Sequence, residues 1–138
     1  MIGSPIRAAL GAFRARCPRK VIYDQSDGAP YLERYYLIKS RWIGVVLHHI
    51  LRPDSDERLH NHPWRWAFSL ILAGGYVEER LDSIDQVRST TLRVGRLNKI
   101  GSNTYHRISA LVADDVWTLF VHGAAKEAWG FLDRPNSH

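Results

Sequence analysis

The sequence predicts an all-β domain, a barrel or sandwich of short strands preceded by one short helix. After the turn-like segment 26–30, the chain becomes rich in β-branched and aromatic residues, which favour strands. These residues fall into short runs separated by Gly, Asp, Asn and Ser, a spacing typical of antiparallel barrels and sandwiches. The runs predicted as strands are 31–38, 42–51, 66–72, 76–81, 90–94 and 116–122.

A short amphipathic helix is predicted at about residues 4–17. Ser4 followed by Pro5 fits an N-cap with proline at the first helical position. Three apolar residues then recur at helical spacing before Pro18, namely Ile6, Leu10 and Phe13. This segment is rich in arginine but lacks the interleaved aromatic residues of a nucleic-acid stacking platform. We therefore expect a solvated helix face rather than a nucleic-acid interface.

Length and composition indicate a single domain over residues 1–138, with the barrel core at about 31–131. A chain of 138 residues can bury a hydrophobic core without disulfides, and the lone Cys17 has no internal partner. No apolar run approaches the ~20 residues of a membrane helix, and no signal peptide pattern is visible. We expect a cytoplasmic protein that does not associate with membranes.

The segment His60-Asn61-His62 is the first candidate for a functional site. On an extended backbone, side chains two residues apart point to the same face, so both imidazoles can bind one ion. The same pattern is also common among unrelated surface histidines. A metal site needs at least one further ligand from elsewhere in the chain.

Two segments resemble the paired motifs of the cupin superfamily. The first, G-x5-H-x-H-x3-4-E-x6-G, places His60 and His62 on its histidines and Gly74-Gly75 on its closing glycine. Asp54 replaces the opening glycine, and Trp66 or Ala67 occupies the acidic position, so the fourth, carboxylate ligand of many cupins is absent. The resemblance implies that a hairpin turn at Gly74-Gly75 joins the strands on either side.

The second motif, G-x5-P-x-G-x2-H-x3-N, supplies the third histidine. Gly95 takes its first position and His106 its histidine. Gly101 stands for the proline, Asn103 for the second glycine and Ala110 for the asparagine. The resemblance implies a cupin double-stranded β-helix, or jelly-roll barrel, with one divalent transition metal on His60, His62 and His106. Three imidazoles suit Fe, Zn, Ni or Cu.

Several further segments are similar to those of small bacterial and phage cupins that carry an H-x-H-P-W motif and have no assigned reaction. They strengthen the fold prediction and leave the function open. The similar segments are 47–48, 54–56, 59–64, 71–78, 117–120 and 129–131.

Other polar residues are candidates for roles beside the metal. Tyr76 and Glu78 share one strand face and form a catalytic acid/base pair if that face is the interior, or a solvated edge if it is the exterior. Of the adjacent pair His48 and His49 only one can point into a barrel, and His48 is the better candidate for supporting the metal ligands. The alternative is that His48 has a purely structural role.

Two arginines and a tryptophan lie near the proposed ligands in sequence. Arg65 and Arg107 can each anchor a carboxylate or phosphate, although a regular strand would turn Arg107 outward. Trp64 and Trp66 share the side of the histidine pair if the strand is unbroken, but Pro63 argues against continuity.

These observations favour a metal-dependent enzyme that acts on a small molecule. Three protein ligands leave coordination positions open, as catalytic sites do, and the absent carboxylate makes the site similar to three-histidine iron dioxygenases. Two alternatives stay open: a cupin that binds a small ligand or sugar without turnover, and a metal-independent sugar-nucleotide isomerase or epimerase. A homodimer is also expected, because many cupins pair through an N-terminal segment.

Overall fold

One helix and eleven strands make up the part of the chain that the computed structural model describes, which is residues 3–14, 17–56, 58–82, 84, 86–126 and 130–132. The helix α1 is Gly3–Arg14. The strands are β1 Arg19–Tyr23, β2 Pro30–Lys39, β3 Gly44–Ile50, β4 Leu59–His60, β5 Trp66–Ala73, β6 Gly75–Leu81, β7 Val87–Arg93, β8 Leu97–Gly101, β9 His106–Leu111, β10 Val116–His122 and β11 Phe131–Leu132.

The strands form two antiparallel sheets that face each other. One sheet has the order β1-β2-β3-β10-β5-β8 and the other the order β11-β4-β9-β6-β7. The chain crosses repeatedly from one sheet to the other, which is the topology of a jelly roll. The all-β double-stranded β-helix predicted from the sequence is therefore confirmed.

Each of the six predicted strands corresponds to an observed strand, and the strand at 116–122 has the predicted bounds. Five strands were missed, namely β1, β4, β8, β9 and β11. These are short, and β1, β8 and β9 mix charged or polar residues with apolar ones, which weakens their pattern. The first strand begins before the predicted core boundary at 31, because Arg19–Tyr23 adds to the sheet beside β2.

The described helix is Gly3–Arg14 and does not include Cys17, the predicted end of the helix. Residues 15 and 16 lie outside the described part, and Cys17 lies in a bend. Pro18 explains this bend, since a residue that precedes proline is restricted to extended conformations.

Gly74 forms a corner between the sheets, so the expected hairpin at Gly74-Gly75 is wrong. The strands before and after it, β5 and β6, belong to different sheets and do not pair. Gly74 has a φ of 76°, and a Cβ atom there would lie 2.4 Å from the backbone oxygen of Asp115. Only glycine fits this conformation at this close approach. The true hairpin is the next one, β6 with β7.

The two sheets enclose apolar clusters, and α1 covers the outer face of the six-stranded sheet. On that outer face Leu10 and Cys17 pack against a cluster that includes Tyr35 and Trp117. The helix falls short of the length and hydrophobicity of a membrane span.

Arg7 of α1 is not simply solvated, as the sequence led us to expect, because it forms an ion pair with Asp115 at the start of β10. His49 also reaches Asp115, with Nε2 2.6 Å from its Oδ2, and its Nδ1 lies 2.6 Å from Oε1 of Glu33. The His49 ring stacks on Trp117 at 4.0 Å. His49 thus faces outward and His48 inward, as their adjacency predicted.

We predict that Asp115→Asn destabilises the fold at neutral pH by about 1–3 kcal/mol, because it removes the charge that Arg7 and His49 share. Burial alone would raise the pKa of Asp115, but hydrogen bonds from His49 and Arg7 outweigh it and lower the pKa. The contribution is therefore complete above the unfolded-state pKa of about 3.9 and is lost as the pH falls through the lower folded value.

Thermal unfolding of both proteins between pH 3 and 7 checks this. The Tm difference should be largest near neutrality and should shrink toward pH 3. Asp114→Asn, at an exposed neighbouring position, is the matched control. A Tm difference that grows toward acid would contradict the assignment.

Candidate metal centre

Three histidines that are distant in sequence meet at one end of the barrel. His60 ends β4 and pairs directly with His106, which begins β9. His62 follows two residues after His60, and its Nε2 lies 2.9 Å from Nε2 of His106. The three ring centroids are 5.0 to 5.2 Å apart. One nitrogen from each ring lies within 4.8 Å of the other two, so the cluster can surround one ion.

The surroundings of His60 and His62 favour their neutral form, which is the state that binds metal. Burial lowers the pKa of His60, and the neighbouring His106 lowers it further. Burial likewise lowers the pKa of His62 well below its usual value, with smaller contributions from His106 and His60. Burial, together with the neighbouring rings, thus disfavours protonation of these two histidines.

Glu78 orients one of the three rings. Its Oε2 lies 2.8 Å from Nδ1 of His106. Asn98 donates to the same oxygen at 2.7 Å, and Nε of Arg80 donates to Oε1 at 2.9 Å. Burial alone would raise the pKa of Glu78, but the hydrogen bonds from His106 and Asn98, together with the charge of Arg80, lower it to about 2. The ionised carboxylate leaves Nε2 of His106 to face the other histidines.

Tyr76 also faces the interior, so the pair does not form a solvated edge, and the catalytic acid/base role of Tyr76 and Glu78 stays a prediction. The two residues are each 3% exposed. The Tyr76 hydroxyl accepts a hydrogen bond from Asn98 at 3.1 Å. Burial raises the pKa of Tyr76 to about 12. Tyr76 therefore keeps its proton at neutral pH, whereas Glu78 is ionised.

The donor set fits a divalent transition metal. Imidazole–metal bonds of about 2.0–2.1 Å place neighbouring ligand atoms roughly 3 Å apart, close to the separation of the two Nε2 atoms of His62 and His106. A carboxylate on the other nitrogen of a ligating histidine is the usual arrangement around such ions. Among the described residues no carboxylate joins the three rings as a ligand, and with these three ligands a bound ion would keep open positions for water or a small molecule.

His48 and Trp64 lie inside the barrel but do not bond the three histidines. His48 stacks on Phe120 at 4.9 Å, and Phe120 in turn lies 5.9 Å from the ring of His62. Trp64 stacks on His122 at 3.6 Å.

Trp66 is exposed and faces outward, so the tryptophans do not share a side. The chain breaks at Pro63 as it passes from β4 in one sheet to β5 in the other. The alternative of an unbroken strand is therefore wrong.

Neither of the two arginines near the ligands in sequence bonds a ring of the cluster, although the charge of Arg107 is one of the smaller causes that lower the pKa of His60. Arg65 is exposed and lines a surface cleft with Ser102, Ala125 and Lys126. Arg107 faces outward, as predicted, and forms an ion pair with Glu79 at 2.5 Å. It also donates to the backbone oxygens of Asp54 and Asp56.

Sequence reasoning missed Asn98 and Arg80, the partners of Glu78. Asn98 is buried between two exposed neighbours on β8, and this alternation was the available signal. The link from Glu78 to His106 was also missed, because it joins side chains on the neighbouring strands β6 and β9, and only the tertiary structure shows that these strands pair. Trp129, which contributed to the family resemblance, lies outside the described residues.

Comparison with known proteins identifies the fold. No family model matches the sequence, and no curated protein does so at a significant level. Among solved structures, the chain is similar to the iron(II) form of HppE, with a TM-score of 0.62 and 14% identity over 78% of this chain and 57% of that one. A structure of DMSP lyases gives a TM-score of 0.69 and 15% identity, covering 95% and 70% of the two chains.

A variant of oxalate decarboxylase from Bacillus subtilis is similar as well, with a TM-score of 0.60 and 13% identity. That match covers 83% of this chain and 29% of the decarboxylase. The chain spans a little over half the length of HppE. These likenesses show that the chain has the cupin fold.

We predict that Glu78→Gln destabilises the metal-free protein at pH 7 by about 1.5–3 kcal/mol, because a neutral amide cannot replace the charged acceptor of His106 and Arg80. The folded pKa of about 2 lies below the unfolded value of about 4.3. The stabilisation is therefore present above pH 4.3 and is lost as the pH falls toward 2.

Urea unfolding in the presence of EDTA, at pH 7 and at pH 3, measures the effect. Tyr76→Phe removes one neutral hydrogen bond to Asn98 and should cost less, about 1 kcal/mol, with little pH dependence. Equal losses in the two variants would argue against an ionised Glu78.

Proposed function

We propose that the protein is a metal-dependent enzyme of a small-molecule reaction, with one divalent transition metal held by His60, His62 and His106. The observation that carries this proposal is the convergence of three largely buried imidazoles, one of them oriented by Glu78. Structural zinc sites are closed by four ligands, whereas catalytic sites keep positions open.

Iron is the metal we favour, and oxygen-dependent chemistry of the dioxygenase type is the reaction class. The described part of the chain offers three histidines and no carboxylate ligand, which separates the site from 2-His-1-carboxylate oxygenases and favours three-histidine iron chemistry. The fold neighbour HppE was solved in its iron(II) form, which is in keeping with iron. Zinc and nickel are the alternatives for the same ligands. A bound ion would supply Lewis-acid and redox chemistry, while Glu78 would hold the His106 ring in place.

A second candidate is a metal-independent isomerase or epimerase. The observation in its favour is the Glu78–His106 pair itself, since a carboxylate that orients an imidazole leaves the other ring nitrogen ready to act as a general base. Activity of EDTA-treated protein would separate this candidate from the metal-dependent one. The homodimer and the cytoplasmic location expected from the sequence stay predictions.

We predict that protein purified without chelator or a nickel column carries close to one transition-metal ion per chain. His60→Ala and His106→Ala should both lose it, although the two residues are far apart in sequence. Glu78→Gln should retain the three ligands but bind metal about 10–100-fold more weakly, because the orientation of His106 is lost.

Metal analysis after dialysis against Fe, Zn or Ni salts measures these values. His48→Gln is the matched control, because His48 lies in the same interior without facing the other three rings at bonding distance. Substoichiometric metal in the unaltered protein after reconstitution would overturn the proposal, and full metal in His106→Ala would remove His106 from the site.

We predict further that the iron(II) form consumes oxygen with a panel of small organic substrates, and that the zinc form does not, since zinc has no redox chemistry. An oxygen electrode, with the apo protein as the blank, makes the measurement. Equal turnover of a substrate by the zinc form would instead favour isomerisation or hydrolysis.

A further inference from the structure

A row of three polar residues crosses the inner face of the six-stranded sheet. Arg34 on β2 pairs with His48 on β3, and His48 pairs with Thr118 on β10. On each strand, the residues two positions before and two positions after the polar residue belong to the interior apolar clusters. Those neighbours are Leu32, Tyr36, Val46, Ile50, Val116 and Phe120. The row is therefore a polar belt between two apolar layers inside the barrel.

None of the three side chains has a hydrogen-bond or ion-pair partner among the described residues. The Thr118 hydroxyl is fully buried without a partner. The ring of His48 is stacked on Phe120 but its nitrogens bond nothing in the described chain. Arg34 is half-buried, and no carboxylate of the described residues lies within bonding distance of its guanidinium.

Arg34 combines partial burial with the lack of a described carboxylate partner, and this distinguishes it from the other described arginines of the strands and loops. Most are ion-paired, as Arg80 is with Glu78 and Arg107 with Glu79. Those without a carboxylate partner in the described residues are exposed to solvent, namely Arg41, Arg65, Arg93 and Arg96. A half-buried guanidinium without an anion is costly, since the charge is partly desolvated and uncompensated.

The belt adjoins the three-histidine cluster. His48 stacks on Phe120, which lies against His62, so a short path of contacts leads from Arg34 to the cluster. The positive charge of Arg34 acts on His48 and is the next cause, after burial, that lowers the pKa of His48 to about 3. His48 is therefore neutral and has one N–H to donate.

We propose that Arg34 and His48 form an anion subsite beside the three-histidine cluster and bind the carboxylate group of the substrate. The inference rests on the proposed function, because it names the substrate class of that same site. The carboxylate would lie against the guanidinium, and the remainder of the molecule would extend past Phe120 toward His60, His62 and His106.

A carboxylate matches this subsite better than a phosphate does. The planar guanidinium presents two parallel N–H groups that fit two carboxylate oxygens. One arginine and one neutral histidine supply a single positive charge, which balances a monoanion. A phosphate or phosphonate carries nearly two negative charges and calls for further cations.

Calorimetric titration with propionate, propionamide and inorganic phosphate tests the subsite. We expect propionate to bind about tenfold or more tightly than its uncharged amide, since its contacts to Arg34 are charge-assisted. Both the zinc-loaded and the EDTA-treated protein should show this difference. Arg34→Met should abolish it, Arg34→Lys should retain part of it, and His48→Phe should weaken it while keeping the stacking on Phe120.

Arg93→Met, at an exposed arginine of β7, is the matched control and should bind propionate as the unaltered protein does. Arg34→Met should also keep its metal and should not lower the Tm, because the substitution removes an unpaired charge. A purely structural role for Arg34 would instead lower the Tm. If Arg34→Met does not fold, the same comparison of propionate with propionamide is made with Arg34→Lys and His48→Phe.

Three results would overturn the proposal: no preference for propionate over the amide, propionate binding that persists in Arg34→Met and depends only on zinc, or Arg34-dependent binding of phosphate at least as tight as that of propionate. Arg34-dependent propionate binding in a protein that takes up no metal would leave the subsite standing and would reject the proposed metal-dependent function. Metal uptake without propionate binding would reject the anion subsite and leave the proposed metal-dependent function standing.

Discussion

The backbone pairing of His60 with His106 is the contact on which the candidate site depends. It joins a strand of two residues, β4, to the start of β9. The pairing fixes two imidazoles on neighbouring strands at the separation that one ion needs, and His62 adds a third from the segment that follows. A slip of one residue in this register would turn His106 to the outer face, because strand side chains alternate. Positioning of the cluster is thus a property of the backbone ladder as much as of the side chains.

The hydrogen bonds around Glu78 connect this ladder to the opposite sheet. Glu78 and Arg80 lie on β6 of the five-stranded sheet, while Asn98 lies on β8 of the six-stranded sheet. The carboxylate therefore bonds a candidate ligand on its own sheet and an amide across the barrel. A fully bonded ionised group in an interior is stable only when its partners are all in place. The same carboxylate orients His106 and joins the two layers of the fold.

Much of the fold and the three histidines could be predicted from the sequence, and the reasons for the misses are physical. The long strands carry enough apolar alternation to be found, and the two histidine segments stand at the spacing of a known pair of motifs. A glycine between two strands is compatible with a hairpin within one sheet and with a corner between two sheets. The sequence around Gly74 therefore suggested a hairpin, and only the tertiary structure shows that it is a corner. Arg34 gave no signal as a site residue, since its inward direction depends on the register of β2 against β3, which a sequence does not reveal.

The central position of β10 has a consequence for how the chain reaches its native state. This strand is the last long one in the described residues, yet it lies between β3 and β5 and pairs with both. Each of those pairings closes a long loop, and contacts of such large sequence separation slow folding because the chain entropy is lost before the contacts form. Until β10 docks, the inner edges of β3 and β5 have open backbone groups and exposed apolar side chains, which are the features that promote aggregation of folding intermediates. The barrel interior, with its arginine and histidines, therefore depends on β10, and we expect a fragment that lacks β10 not to form it.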